Sequence, residues 1–192
     1  NKTAFCEVCD QGFYASADRT TCVKCEAGSQ CSAGLKTPCA DGELSKAGQA
    51  NCKACDPGEV PDGESCNACG PGLSAEFGAT ECTPCAEGTV APSNKTAFCE
   101  VCSQGYYASD NRTVCIECQA AHQCTAGVKT PCADGESAAS GSSTCSDCKA
   151  GTFLNRSKSP PVCDDCEAGD VSKAAASACT PCELGTYQND TD

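Results

Sequence analysis

Apolar residues in this chain come in short groups among polar and small residues, and no apolar run approaches 18 positions. No stretch carries the 3.6-residue period of an amphipathic helix. Ala174–Ala178 has helix propensity, but it lies inside a twelve-residue gap between cysteines, too short for a stable helix. The pattern predicts short strands instead. Phe13-Tyr14-Ala15 follows Gly12 and Tyr106-Tyr107-Ala108 follows Gly105. A glycine set off by two residues from the cysteine before it recurs at Gly12, Gly42, Gly72, Gly105, Gly135 and Gly169, where a turn with positive φ is expected. A gap of twelve holds two short strands and a reversal, so the expectation is one small β-hairpin per gap.

Cysteine is the one periodic residue. The unit C-x2-C-x12-C-x2-C repeats six times, over 6–25, 31–55, 66–85, 99–118, 124–148 and 163–182. The first three units use Cys6, Cys9, Cys22 and Cys25, then Cys31, Cys39, Cys52 and Cys55, then Cys66, Cys69, Cys82 and Cys85. The last three use Cys99, Cys102, Cys115 and Cys118, then Cys124, Cys132, Cys145 and Cys148, then Cys163, Cys166, Cys179 and Cys182, which accounts for all 24 cysteines. Units two and five break the rule alike: Lys36 and Lys129 stand where the first cysteine belongs, and the thiol sits upstream as Cys31 or Cys124. Residues 1–9 are identical to 94–102, an offset of 93, so three units form a higher repeat. Two domains follow, 1–93 and 94–192, with four extra residues entering the second in Arg156–Pro161.

Composition fixes what can hold such a chain together. There is no Met or Trp, with five Phe and four Tyr, and much of the 40% hydrophobic content is Cys and Ala. Units of about 30 residues lie below the size at which apolar burial alone sustains a domain. Closing a loop of about 15 residues by a disulfide contributes roughly 3 kcal/mol in the chain-entropy model, and cysteine at this density marks a disulfide scaffold. The fold class expected is small and disulfide-rich: an elongated tandem array of short β-hairpin units with little regular secondary structure. Its shape is expected to be a rod, with a radius of gyration well above the roughly 16 Å of a compact chain of this length.

The same count places the protein in an oxidising environment, secreted or at the cell surface. Five N-x-S/T sequons, at Asn1, Asn94, Asn111, Asn155 and Asn189, agree and predict N-linked glycans. A net charge of −13, spread without blocks, argues against nucleic acid or anionic lipid as a partner. Nothing is long and apolar enough to span a membrane. No charged segment followed by an apolar one opens the sequence, which for an extracellular protein implies a mature product or an excerpt.

Cysteine pairs of the CxxC kind serve redox chemistry, zinc or structural disulfides. A redox centre needs a low-pKa thiol at a helix N-terminus. CxxC-x12-CxxC is close to zinc-ribbon spacing, and Cys66-Asn-Ala-Cys69-Gly70 resembles a zinc knuckle. Sequons and the displaced Cys31 and Cys124 favour disulfides. Spacing does not dictate connectivity. A constant gap inside units with variable linkers between them nevertheless suggests that cross-links are internal. The expectation is first-to-third with second-to-fourth: Cys6–Cys22 with Cys9–Cys25, and Cys31–Cys52 with Cys39–Cys55. Phe5, Phe13, Tyr14, Phe98, Tyr106, Tyr107, Phe153 and Tyr187 mostly sit beside cysteines, where they could form a binding face but are expected to cover the disulfides. His122 is the only histidine, and the first copy carries Ser29 in its place. No catalytic set, phosphate loop or calcium loop is present, so no enzyme activity and no cofactor are expected.

Motifs such as Cys148-Lys-Ala-Gly151-Thr-Phe153 and Cys182-Glu-Leu-Gly185-Thr-Tyr187 resemble the cysteine-rich repeats of ephrin-receptor-like and tumour-necrosis-factor-receptor-like ectodomains. Long arrays of the same type occur in protozoan surface antigens such as ciliate immobilisation antigens. The resemblance covers essentially the whole chain and implies a disulfide-laddered extracellular rod. The internal duplication exceeds what receptor ectodomains usually show. The expected function is therefore a non-catalytic structural glycoprotein, a repeat segment of a surface coat or extracellular filament. Its partners would be copies of itself or neighbouring surface proteins. The alternatives are a ligand-binding receptor-type ectodomain and a cysteine-rich metal-binding protein.

Overall fold

A computed structural model describes residues 5–188. Among them there is no helix, and 22 short strands pair as eleven two-stranded antiparallel hairpins. The chain is a disulfide-rich tandem hairpin array, as its pattern predicts, but with nearly twice the expected number of hairpins.

Six hairpins lie in the twelve-residue gaps. Phe13–Ala15 pairs with Cys22–Lys24 and Tyr106–Ala108 with Cys115–Glu117. Two-residue ladders at Glu43–Leu44, Leu73–Ser74, Glu136–Ser137 and Asp170–Val171 complete the set. Each gap is closed by a disulfide of sequence separation 13: Cys9–Cys22, Cys39–Cys52, Cys69–Cys82, Cys102–Cys115, Cys132–Cys145 and Cys166–Cys179.

The other five hairpins occupy what reads in the sequence as linker. Ser29–Ser32 pairs with Leu35–Pro38, Glu59–Asp62 with Ser65–Ala68 and Thr89–Val90 with Glu100–Val101. His122–Thr125 pairs with Val128–Pro131 and Thr152–Asn155 with Val162–Asp165. These bridging hairpins are closed by Cys25–Cys31, Cys55–Cys66, Cys85–Cys99, Cys118–Cys124 and Cys148–Cys163, with separations of 6, 11, 14, 6 and 15.

The expected connectivity is therefore wrong. Second pairs with third inside a unit, and fourth pairs with first of the next unit. Constant spacing reflected the internal bond, but variable linkers did not mean absent bonds. A hairpin loop lengthens at little cost, since closure entropy grows only logarithmically.

The displaced cysteines follow from the same geometry. In the first bridging hairpin Cys31 lies directly across from Lys36, and in the fourth Cys124 lies across from Lys129. Where the rule holds, Cys66 faces Pro61 and Cys163 faces Leu154. The thiol has thus crossed from one strand to its partner. The vacated position carries a lysine whose ammonium lies over a ring, Lys36 5.4 Å from Tyr14 and Lys129 4.5 Å from Tyr107.

Two compact units result, one of residues 1–85 with 91–99, the other of 86–90 with 100–192. Segment 86–90 belongs to the second because Thr89–Val90 pairs with Glu100–Val101. Within each unit the turn glycine carbonyl accepts the N–H of the cysteine that follows the hairpin, as in Cys25 to Gly12 at 2.8 Å and Cys118 to Gly105 at 2.7 Å. That cysteine's carbonyl accepts from the next gap's tip, Gly48 to Cys25 and Gly141 to Cys118, both at 2.8 Å. A Cβ on Gly12 would lie 2.2 Å from the Gly48 carbonyl oxygen, and one on Gly105 would lie 2.2 Å from that of Gly141. Both glycines also have positive φ, 84° and 81°, so a side chain is excluded twice over.

The buried apolar positions are mainly sulfur: Cys25, Cys31, Cys55, Cys69, Cys85, Cys102, Cys118, Cys124 and Cys148, joined by Ala75, Val90, Ala91 and Leu154. The aromatic rings do not form the expected cover. Phe5, Phe98 and Tyr187 are mostly exposed, and Phe13 and Tyr106 also count among the exposed residues. Cystine is small enough to fill the space between two-residue ladders, where a ring is not.

Candidate functional site

Two features distinguish themselves from the repeated scaffold: the unpaired thiols and a cavity in the second unit. Twenty-two cysteines are in disulfides, and Cys6 and Cys182 are free. The expectation that Cys6 pairs with Cys22 fails because Cys9 takes that partner, and Cys179 is likewise taken by Cys166. Cys6 is a first cysteine and Cys182 a fourth, so each lacks the bridging partner that its equivalents have.

The cavity, about 640 Å³, opens beside the bridging hairpin of His122–Thr125 and is lined in part by His122, Glu136, Leu154, Arg156 and Pro160. Three of the differences between the two copies meet here. His122 replaces Ser29, Leu154 replaces Pro61, and the two-residue turn Gly63-Glu64 of the first copy becomes the six-residue loop Arg156–Pro161 of the second. Arg156 is ion-paired with Asp134, and the His122 ring Nδ1 lies 3.2 Å from the Ala120 carbonyl oxygen. At the base of the loop Asp164 accepts from Lys158 and from Asn155 Nδ2, both at 2.7 Å, which holds its carboxyl below the usual range. His122 is half-buried on a strand rather than an exposed linker residue.

The sequons divide. Asn94 and Asn111 are exposed, whereas the Asn155 side chain is half-buried and hydrogen-bonded to Asp164. Asn1 and Asn189 lie outside the described residues. Asn111 stands where the first copy has Asp18, and both residues organise the same turn. Ser16 Oγ donates to Asp18 at 2.6 Å, as Ser109 Oγ does to Asn111 at 2.7 Å.

Cys132, Glu136 and Cys145 bring potential metal-ligand atoms within 4.8 Å of one another, but the two sulfurs are bonded to each other. A disulfide sulfur lacks the thiolate charge that binds zinc. The same holds for every CxxC-x12-CxxC quartet of the sequence, since each has its second and third sulfurs joined. Among the described residues no helix is long and apolar enough to cross a membrane.

The signal for the bridging bonds was present in the displaced cysteines. Cys31 and Lys36 flank Ser32-Ala33-Gly34-Leu35, with Ala33 and Gly34 both at positive φ, a turn of the type that closes a two-residue hairpin. No protein-family profile matches the chain, and no curated protein is significantly similar to it.

Proposed function

We propose that the chain is a non-catalytic extracellular structural glycoprotein, a repeat segment of a cell-surface coat or extracellular filament. One observation carries this reading: the disulfides alternate inside and between units without interruption from Cys9 to Cys179. Every hairpin is closed by its own cystine, and successive cystines are linked by short dyads or single strands. Such a ladder preserves the backbone rather than shaping a site, because a cut inside any hairpin loop leaves the two ends joined through sulfur. Eleven disulfides require an oxidising compartment. Glycans on the exposed Asn94 and Asn111 would add to the cover.

The test is immunolabelling of intact, unpermeabilised cells that make the protein, before and after protease treatment. A continuous surface label that survives protease but not protease with reductant is expected. Label confined to the cell interior would reject the reading.

A ligand-binding ectodomain is the second reading, and the cavity beside His122 favours it, because His122, Leu154 and the six-residue loop that line it have no equivalents at the matching positions of the first copy. It predicts a saturable ligand whose binding is lost on Leu154→Arg with the disulfide map unchanged. Screening that finds no ligand sensitive to that substitution would remove it.

A further inference from the structure

We propose that a trypsin-like serine protease cuts the folded chain first at the Lys158–Ser159 bond, and that the cut opens one wall of the cavity beside His122 while Cys148–Cys163 keeps the two pieces joined. The site goes beyond both readings above and depends on neither.

Such an enzyme needs a Lys or Arg side chain to enter its acidic specificity pocket, with extended, unengaged backbone on either side. The chain has thirteen Lys and Arg residues, and the fold withholds nearly all of those it describes. Lys24, Lys36, Lys53 and Lys129 lie on hairpin strands. Arg19, Lys95 and Arg112 have left-handed backbone, with φ of 56°, 61° and 57°, which an extended substrate cannot contain. Their N–H groups are held by the Ser16, Cys69 and Ser109 carbonyls at 2.8, 2.9 and 2.8 Å.

Three others fail at the turn itself. The Lys46 carbonyl accepts the Gln49 N–H at 3.2 Å while its own N–H donates to Gln49 Oε1 at 2.8 Å. The Lys149 carbonyl accepts both the N–H and the hydroxyl of Thr152, at 3.0 and 2.8 Å. Lys173 stands two residues before Ala175, whose φ is 59° and whose N–H is held by the Cys148 carbonyl at 2.8 Å.

Arg156 and Lys158 remain. Both stand in the loop Arg156–Pro161, beyond the last hairpin pair, Asn155 with Val162, and residues 156–160 are all exposed. Exposed tips of small and polar residues are where folded chains are nicked. At the Arg156–Ser157 bond the leaving nitrogen is engaged, since Ser157 N–H donates to Asn155 Oδ1 at 2.9 Å, and the guanidinium is paired with Asp134. Lys158 Nζ is paired with Asp164 at 2.7 Å, but among the described residues nothing bonds the backbone of Lys158 or Ser159. An ion pair on so exposed a lysine holds weakly and yields to the carboxylate of a specificity pocket.

The reaction consumes one water. The protease serine takes the Lys158 acyl group, Ser159 leaves as an amine with the proton that the protease histidine delivers, and water then frees Lys158 as a carboxylate. Leu154 and Arg156 line the cavity from before the cut, and Ser159, Pro160 and Pro161 from after it. Severing the loop leaves that second wall anchored only from Val162 onward, while Cys148–Cys163 spans the cut.

The test treats the full, non-reduced chain with dilute trypsin and follows it on gels with and without reductant and by mass spectrometry. The first product should stay in one piece until reduced and then part into 1–158 and 159–192. It should form about tenfold faster than any other cleavage, because cutting tracks the population of the open form. Lys158→Gln should abolish it with the disulfide map unchanged, and Asp164→Asn should hasten it. Arg156–Pro161 grafted in place of Gly63-Glu64 should create a second such cut, inside Cys55–Cys66. A first cut at another Lys or Arg, an unaltered rate after Lys158→Gln, or pieces that part without reductant would overturn the site. The ring resonances of His122, the only histidine, should shift in the nicked chain, and unmoved resonances would overturn the opening of the cavity.

Discussion

The six gap hairpins and the five bridging hairpins are built from the same residues and closed by the same bond, yet one class is invariant in length and the other is not. The gap disulfides all span 13 positions, while the bridging ones span from 6 to 15. Four of the six gap tips are tied to the last cysteine of the preceding unit. In the second unit the gap tip reaches back so that Gly48 N–H meets the Cys25 carbonyl, and Ala175 meets Cys148 likewise in the sixth, at 2.8 Å each. One residue more or fewer would move that donor off its acceptor. The bridging loop Arg156–Pro161 instead ends beside an open cavity, and lengthening it displaces no neighbouring backbone bond. Tip contact is not confined to the gaps, since Ala15 N–H meets the Gly34 carbonyl at 3.0 Å and Lys95 N–H that of Cys69 at 2.9 Å, but the tips at Gly63 and Arg156–Pro161 have no such bond.

The comparison breaks most severely if the two kinds of disulfide are removed in turn. Cys148→Ala with Cys163→Ala should cost about 3–5 kcal/mol, because Cys148 is also fully packed, and Cys166→Ala with Cys179→Ala about 2–3 kcal/mol. Local denaturation midpoints from amide exchange would measure both, and equal losses would show that burial is irrelevant. Next in size is Gly105→Ala, expected to cost about 2–4 kcal/mol through the backbone collision with Gly141 and the positive φ. A substitution at Gly151, which has positive φ but open space beside it, should cost only about 1 kcal/mol.

A smaller effect sharpens the contrast directly. Four residues inserted after Gly63 extend a bridging loop and should cost about 0.3 kcal/mol, the logarithmic closure term alone. The same insertion beside Gly48 should cost roughly 1–3 kcal/mol by leaving the Cys25 carbonyl unpaired. Chemical denaturation of the two insertion variants decides it, and similar costs would refute the role given to the tip.

The smallest effect separates the two copies by pH. Asp18 is held below its ordinary 3.8 by hydrogen bonds from the Ser16 and Thr20 side chains. Because the folded value is depressed, its contribution is complete above the unfolded value and is lost as pH falls through the folded one. Asn111 holds the matching turn without titrating. Amide exchange of Thr20 and Thr21 should therefore quicken in acid while that of Thr113 and Val114 does not. Parallel behaviour of the two turns would contradict the assignment.

Much of the architecture was legible in the residues. Gly12, Gly42 and their four counterparts stand at positive φ as the x-x-Gly pattern demands, and Phe13–Ala15 and Tyr106–Ala108 are strands. The bridging hairpins were not legible. Glu59-Val60-Pro61-Asp62 carries two acids and a proline, and its pairing depends on Cys55–Cys66 more than on strand propensity. Connectivity failed for a related reason. Cys25 is six residues from Cys31 and sixteen from Cys9, yet a reading confined to units excludes the nearer partner. Lys36 and Lys129 held the missing information, since a cysteine displaced by five positions around a two-residue turn arrives opposite its old place. The cavity lay beyond the sequence because His122 and Arg156 come to line one space only once the Thr152–Asn155 hairpin has folded.

The alternation of bonds also fixes how the chain responds when pulled. An ordinary domain under tension yields by unravelling, and each freed residue adds up to about 3.5 Å of contour. Here the load entering at Cys9 passes through sulfur to Cys22, runs three residues to Cys25 and crosses to Cys31, so residues 10–21 never bear it. Those twelve residues, about 40 Å of hidden length, cannot be paid out unless a covalent bond breaks. Reductant, rather than force, is then the control on extensibility, and a stretched array would lengthen in steps set by which disulfide opens first.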